Sequence, residues 1–126
     1  MNNKRRGMTF ESEFAQLLSK HGFWARLDKG KAQTCDILAS RNNISYLFEC
    51  KTTCKNYFNM TRVEDNQSMS RLRFAECGNT EAYFVFLVNG EDIYLSKEPI
   101  KKPSDGISFD DFLKSIDIRG ELRHES

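Results

Sequence analysis

An uninterrupted apolar run over residues 82–88 (AYFVFLV) is the feature that most constrains the fold of this chain. Such a run is typical of a strand that is buried on both faces of its sheet, because a half-exposed strand alternates apolar and polar residues. The Asn89-Gly90 pair that follows predicts a tight two-residue hairpin into a further strand over residues 92–95. A sheet of this kind needs helices against it, so the chain is expected to be an α/β protein.

Helical and strand patterns alternate along the rest of the chain. Thr9 predicts the N-cap of a first helix that ends before Gly22. The later elements are predicted as strands over 23–27, 35–40 and 45–52, a helix over 64–77, the two strands above, and a helix capped by Ser108. On the second helix, Met69, Leu72 and Ala75 share one apolar face. The expected fold is a central mixed five-stranded sheet flanked by helices, in the order α-β-β-β-α-β-β-α.

The length of 126 residues predicts one domain. Hydrophobic residues make up 39% and charged residues 29%, which excludes a disordered chain, and no run of about 18 apolar residues predicts a membrane span. We expect a flexible basic arm over residues 1–8, the domain over 9–118 and a polar tail over 119–126. Four cysteines without a CxxC pair indicate reduced thiols and a cytoplasmic protein.

The charges are unevenly distributed, although their sum is only +1. Residues 1–73 carry 13 basic and 7 acidic side chains, whereas residues 74–126 carry 6 basic and 11 acidic ones. This asymmetry is compatible with an anionic partner at one end of the molecule, and equally with a solvated surface that happens to be uneven.

Carboxylates and a lysine come together in the predicted hairpin over residues 34–52. Glu49 and Lys51 are two positions apart on one strand and therefore point to the same face. If the turn is Asn42-Asn43, paired residue numbers sum to 85 and Asp36 lies opposite Glu49, with Cβ atoms about 5 Å apart. A loop with an odd number of residues would shift this register. Two such carboxylates repel each other unless a hard cation such as Mg²⁺ binds between them.

Glu11 lies in the first turn of the first helix, beside its apolar stripe, and could reach the same site. Taken singly, these residues have simpler explanations: Glu11 can complement the helix dipole, Glu49 and Lys51 can form an exposed ion pair, and Asp36 can merely begin a strand. Taken together, they favour metal-dependent phosphodiester hydrolysis, in which the metal polarises the phosphate and activates water.

These residues also carry a family resemblance. Asp36 followed thirteen residues later by Glu49-Cys50-Lys51 resembles the D…ExK signature of the PD-(D/E)xK nuclease superfamily. Over about residues 4–95 the chain resembles Holliday junction resolvases: residues 7–14 resemble the first-helix segment of the archaeal type, 58–67 the post-motif segment of the bacterial RecU type, and 82–95 the hairpin that follows. Two features depart from the RecU pattern, namely Asn66 in place of a histidine and a short loop over 28–33 in place of a stalk.

The resemblance implies a restriction-endonuclease-like core with Mg²⁺ as cofactor, for which Mn²⁺ can substitute. Asp36, Glu49 and the backbone carbonyl of Cys50 would ligate the metal, while Lys51 would act on the water or a phosphate oxygen. Thr34 would lie beside the scissile phosphate. The catalytic residues implied in this way are Glu11, which completes the acidic cluster, Thr34, Asp36, Glu49, Lys51, and Gln67, which supports the site from the second helix.

The resemblance further implies a homodimer that cuts opposing strands of a four-way DNA junction, with no membrane partner. Phosphate contacts are expected from basic residues near the site, although each alone can equally serve solubility. These residues are Lys4, Arg5, Arg6, Lys29, Lys31, Lys55, Arg62, Arg71 and Arg73. Two alternatives stay open from the sequence, namely a restriction- or repair-type endonuclease of duplex DNA on the same fold and a non-catalytic DNA-binding factor.

Overall fold

The structure is a computed structural model that describes residues 9–28, 35–59 and 65–125, without the side chains of 65–68 and 118–125. Its elements are helix α1 (Phe10–Lys20), strands β1 (Trp24–Leu27), β2 (Ile37–Arg41) and β3 (Ile44–Thr53), helix α2 (Asp65–Glu76), strands β4 (Ala82–Val88) and β5 (Asp92–Ser96), a 3₁₀ helix (Pro103–Asp105), strand β6 (Ile107–Ser108) and helix α3 (Phe109–Glu125). Thr9 caps α1 as predicted, since its hydroxyl accepts a hydrogen bond of 3.2 Å from the Ser12 amide. None of the helices in the described ranges is long and apolar enough to cross a membrane.

The strands form one mixed sheet in the order β1 to β6. β3 and β4 are parallel, and the other neighbouring pairs are antiparallel. The predicted mixed sheet is confirmed, but the prediction of five strands missed β6, because two residues leave no alternating pattern to recognise. Ser108 pairs with Tyr94 in β6 and also caps α3, its hydroxyl accepting the Asp111 amide at 3.1 Å. Because α3 continues to Glu125, the predicted tail after residue 118 is helical over most of its length.

The hairpin between β2 and β3 has the predicted turn and register. Asn42 and Asn43 have φ angles of 53° and 65°, which asparagine tolerates better than most residues. Arg41 pairs with Ile44, and every pair of the ladder sums to 85. The second hairpin differs from its prediction, because three residues instead of two separate Val88 from its partner Asp92.

The sheet buries apolar side chains on both faces, as the run over 82–88 predicts. On one face, which we call the α1 face, Phe48 packs edge-on against Phe14 of α1 and Phe112 of α3, with ring centroids 5.4 and 6.1 Å apart. On the other face Phe84 and Phe86 form a smaller buried cluster with Phe58 and Val88. We call this second face the Glu49 face, because Glu49 pairs with Phe84 in register.

The apolar stripe of α2 lies on its outer side. Met69 and Leu72 are each 53% exposed, and Ala75 is exposed as well. Arg71 instead turns toward the sheet, with its guanidinium carbon 4.3 Å from the ring centroid of Phe84. Helical spacing identifies a stripe but not the surface that it faces, which is why the sequence could not distinguish this exposed stripe from a core-facing one.

Candidate active site

Asp36 is held against the backbone of β3. Its carboxylate oxygen Oδ2 accepts a hydrogen bond of 2.6 Å from the amide of Cys50, and the Asp36 side chain is buried. The amide of Asp36 donates to the carbonyl of Phe48 at 3.1 Å, which departs by one residue from the ladder register. The β2–β3 ladder therefore ends at Ile37 and Phe48, and Asp36 is fixed beside Glu49 through the Cys50 amide instead of by direct cross-strand pairing.

Glu49 and Lys51 lie on the same face of β3, as their spacing predicts. Their register partners in β4 are Phe84 and Phe86, so the surroundings of both side chains are largely apolar. Glu49 is 0% exposed and Lys51 is half-buried. A carboxylate in such a place costs folding free energy unless charged or polar groups act on it, and charged side chains kept under these conditions mark candidate functional sites.

Arg71 provides a positive charge near Glu49. Burial lowers the pKa of the Arg71 guanidinium. The negative charge of Glu49 raises it again in part, and the charge of Glu98 has a smaller effect in the same direction. Nη2 of Arg71 donates to the backbone carbonyls of Ala82 and Lys97. These internal contacts differ from the phosphate contact predicted for Arg71, and the sequence held no signal for them, since both carbonyls belong to a later part of the chain.

The negative charges of the predicted acidic residues raise the pKa values of two buried thiols, those of Cys50 and Cys35. Burial raises the pKa of Cys50 well above its usual value, and the charges of Asp36 and Glu11 raise it further, while Lys51 lowers it. Burial raises the pKa of Cys35 to about 12, with additional contributions from neighbouring carboxylates that include Asp36 and Glu49. The charge of Glu11 thus acts on Cys50, which follows Glu49 in β3. These raised pKa values keep both thiols protonated near neutral pH, so neither is a ready thiolate nucleophile.

Asp28 is a further acidic residue of the site that the sequence did not single out. Its carboxylate accepts from the amide of Cys35 at 3.4 Å, and its own amide donates to the carbonyl of Asp36 at 3.0 Å. Asp28 thus ties the end of β1 to the segment that carries Asp36. The sequence placed Asp28 at the start of a loop, where an isolated aspartate is unremarkable.

The donor set suits a hard divalent cation. Among the described residues, no three or more histidine, cysteine, aspartate or glutamate side chains cluster in a way that could hold a metal ion. Asp36 and Glu49 nevertheless supply two buried carboxylates, and the Cys50 amide holds Asp36 at the strand position next to Glu49. Mg²⁺ is usually bound by one or two carboxylates together with water and phosphate oxygens. The residues present therefore fit Mg²⁺ better than a structural zinc site, which is usually held by four cysteine or histidine ligands.

The other predicted residues are distributed as follows. Lys55 and Arg73 are exposed, and the backbone of Gln67 lies in α2. The remaining ones fall outside the described residues: Thr34, Lys4, Arg5, Arg6, Lys29, Lys31 and Arg62.

Comparisons with known proteins agree on one family. The family model described as archaeal Holliday junction resolvase (Hjc) matches residues 2–124. A relative from Methanocaldococcus jannaschii, named crossover junction endodeoxyribonuclease Hjc, is 29% identical over 114 residues, which cover 90% of this chain and 83% of the relative. The solved structure of Archaeoglobus fulgidus Hjc, described as a Holliday junction resolvase from an archaeal hyperthermophile, matches with a TM-score of 0.64 at 18% identity. That match covers 82% of this chain and 97% of the other, and it supports the same fold.

Proposed function

The chain belongs to the archaeal Holliday junction resolvase family and is a junction-resolving endonuclease, and we propose that Asp36, Glu49 and Lys51 form its active site. The observation that carries this assignment is the 2.6 Å hydrogen bond between the Cys50 amide and Asp36, beside the fully buried Glu49. It brings two carboxylates and the half-buried Lys51 to neighbouring backbone positions, as phosphodiester hydrolysis requires.

Resolvases of this kind are divalent-metal-dependent nucleases, and we propose Mg²⁺ as the metal, with Mn²⁺ able to replace it. Asp36, Glu49 and the backbone carbonyl of Cys50 would hold the ion. When bound, it would supply Lewis acidity toward the scissile phosphate and lower the pKa of the attacking water. Two carboxylates and a carbonyl leave further coordination positions for water and phosphate oxygens, which Mg²⁺ prefers to keep.

The protein's own residues prepare the phosphate for attack. Lys51, on the same face as Glu49, would donate to a phosphate oxygen or orient the attacking water. Glu11 would complete the acidic cluster from α1, as the family resemblance implies. Thr34 beside the scissile phosphate and Gln67 on α2 stay part of the proposal through the family resemblance.

Branched DNA is the substrate, and we propose that the basic residues of the first 73 positions bind its phosphates. Lys55 follows the end of β3, and Arg73 lies on the exposed side of α2. The other proposed contacts are Lys4, Arg5, Arg6, Lys29, Lys31 and Arg62. Their excess over acidic residues in this part of the chain favours DNA on this side of the molecule.

We further propose that the chain works as a homodimer. The exposed stripe of α2, with Met69 and Leu72 each 53% accessible, gives a second copy an apolar surface to bury. A two-fold dimer would also match a junction whose two opposing strands are cut.

The test is cleavage of a synthetic four-way junction in Mg²⁺ by the wild type and by Asp36→Asn. The amide oxygen of the variant can still accept the Cys50 N–H, so the fold is retained while the charge is removed. We expect cleavage to fall by about 10²- to 10⁴-fold, since a bound metal contributes several kcal/mol to the transition state. Asp110→Asn, an exposed change of the same charge on α3, is the matched control. Equal cleavage by Asp36→Asn and its control would refute the proposed site.

A further inference from the structure

Two distant segments of the chain are joined at the surface beyond the end of β3. The side-chain amide of Asn56 donates to the Ser104 hydroxyl at 2.6 Å, and the Ser104 amide donates to the side-chain oxygen of Asn56 at 3.0 Å. The amide of Phe58 donates to the carbonyl of Lys101 at 2.7 Å. Asn56 and Ser104 are 48 residues apart in the sequence, so these hydrogen bonds fix a contact that only the fold creates.

This contact brings lysines from both segments to one surface. Lys55, Lys101 and Lys102 are exposed, and none of them forms an ion pair within the described ranges. Tyr57, which lies in the first segment, is 60% exposed. We call these four residues the lysine patch. Lys101 and Lys102 belong to the half of the chain with an excess of acidic residues, so counting charges along the sequence could not assign them to a DNA surface.

Acidic neighbours leave the lysine patch with an excess of positive charge. In the loop after β5, Lys97 pairs with the buried Glu81 at 3.0 Å, and the negative charge of Glu98 acts on the guanidinium of Arg71. Asp105 is the further exposed carboxylate of this loop. The three lysines of the patch therefore outnumber it, and an excess of positive charge attracts a polyanion.

The lysine patch lies on the Glu49 face, next to the proposed active site. Phe58 is fully buried, with its ring centroid 5.1 Å from that of Phe86, and Ile100 packs against the same cluster. Phe86 is the register partner of Lys51, and neighbouring strands are about 4.8 Å apart. Phe58 and Ile100 thus hold both segments of the patch close to Lys51.

We propose that the lysine patch binds the sugar-phosphate backbone of the DNA arm that leads away from the scissile phosphate. The proposal rests on the proposed function, because it takes the site around Lys51 as the place of cleavage. Lysine contributes a compact positive charge without reading base sequence, and the hydroxyl of Tyr57 can donate to a phosphate oxygen.

The position of the patch limits which phosphates it can reach. Lys55 follows Lys51 by four residues, which span at most about 14 Å when fully extended. One strand of duplex DNA rises about 3.4 Å per nucleotide. The contacts are therefore expected within about five nucleotides of the scissile phosphate.

The first experiment measures binding of a four-way junction in EDTA by fluorescence anisotropy, between about 50 and 200 mM salt. Lys101→Gln with Lys102→Gln should raise Kd by about tenfold and lower the slope of log Kd against log salt by about 1 to 2. Lys20→Gln with Lys114→Gln is the matched control. It makes the same charge change at exposed positions of α1 and α3, which cover the opposite face of the sheet, and should change Kd by less than about twofold.

Tyr57→Phe tests the hydroxyl of the patch separately. This variant keeps the ring and removes one hydrogen-bonding group, so Kd should rise by about two- to fivefold. The salt slope should stay that of the wild type, because no charge is lost.

The second experiment locates the contacts on the DNA. Single phosphates of the junction are replaced by neutral methylphosphonates, one position at a time on either side of the cleavage position. At a phosphate that the patch contacts, the replacement should weaken binding of the wild type by about threefold or more but leave binding of Lys101→Gln with Lys102→Gln unchanged. Such coupling only at phosphates more than about five nucleotides from the scissile one, or at none, would overturn the proposal.

Failure of this proposal and failure of the proposed function appear in different measurements. A wild-type Kd and salt slope in the double lysine variant would overturn the lysine patch, even when Asp36→Asn abolishes cleavage. Weakened binding in the lysine variant supports the patch as a DNA surface, even when Asp36→Asn cleaves like its control. Unchanged junction binding together with altered sedimentation of the DNA-free lysine variant would overturn the proposal in favour of a contact with a second copy of the chain.

Discussion

The two faces of the sheet are made from alternate residues of the same strands, yet they bury different kinds of side chain. On the α1 face, Phe48 meets Phe14 and Phe112 in edge-on ring contacts, and two helices cover the strands. On the Glu49 face, a smaller aromatic cluster shares its space with a buried glutamate and the guanidinium of Arg71. Ring packing stabilises a fold directly, whereas a buried charge costs free energy and is kept for another purpose. The difference suggests that the α1 face supplies stability and the Glu49 face supplies chemistry.

The largest effect on stability is expected on the α1 face. Phe112 is 0% exposed and its ring contacts those of Phe23, Tyr46 and Tyr83 as well as Phe48. Phe112→Ala should lower the free energy of unfolding by about 3–5 kcal/mol, measured by urea denaturation. The exposed change Lys114→Ala on the same helix is the control and should stay within about 0.5 kcal/mol of the wild type. A loss below about 1 kcal/mol for Phe112→Ala would contradict the assigned role of this face.

A smaller and mixed effect is expected at Arg71 on the Glu49 face. Arg71→Met keeps an apolar contact with Phe84 but removes two hydrogen bonds to backbone carbonyls and the positive charge near Glu49. The free energy of unfolding should fall by about 1–3 kcal/mol. Because the position of Glu49 is disturbed as well, the Mg²⁺ concentration for half-maximal cleavage should rise. A loss of stability with an unchanged Mg²⁺ requirement would restrict Arg71 to a structural role.

The smallest effect on folding is expected at the outer stripe of α2. Because Met69 and Leu72 are about half exposed, changing both to Gln should alter the free energy of unfolding of the monomer by less than about 0.5 kcal/mol. The same change should shift the protein toward monomer in analytical ultracentrifugation, if the stripe is the dimer surface. An unchanged sedimentation profile of an associating wild type would exclude this stripe as the interface.

Short-range patterns in the sequence were sufficient to predict much of this architecture. The Asn42-Asn43 turn predicted the register of β2 and β3, and alternation placed Glu49 and Lys51 on one face. The uninterrupted apolar run over 82–88 likewise predicted a strand covered on both sides.

The features that the sequence did not reveal depend on contacts between distant segments. The Asp28 carboxylate accepts from the Cys35 amide seven residues further along, and Arg71 donates to carbonyls that lie 11 and 26 residues further along. β6 is too short to show a period, and the helical spacing of Met69 and Leu72 does not say whether their side is covered. Such contacts are decided by the three-dimensional packing, which no window of neighbouring residues contains.

The division of labour between the two faces is tested most directly by Glu49→Gln, with junction cleavage in Mg²⁺ and urea unfolding measured on the same preparation. The account predicts that cleavage falls by about 10²-fold or more, while the free energy of unfolding changes much less than in Phe112→Ala, because removal of the buried Glu49 charge offsets the lost attraction to Arg71. Glu76→Gln, exposed at the end of α2, should leave both quantities unchanged. Cleavage at the wild-type rate by Glu49→Gln, or a loss of cleavage that merely follows a loss of folding, would contradict the account.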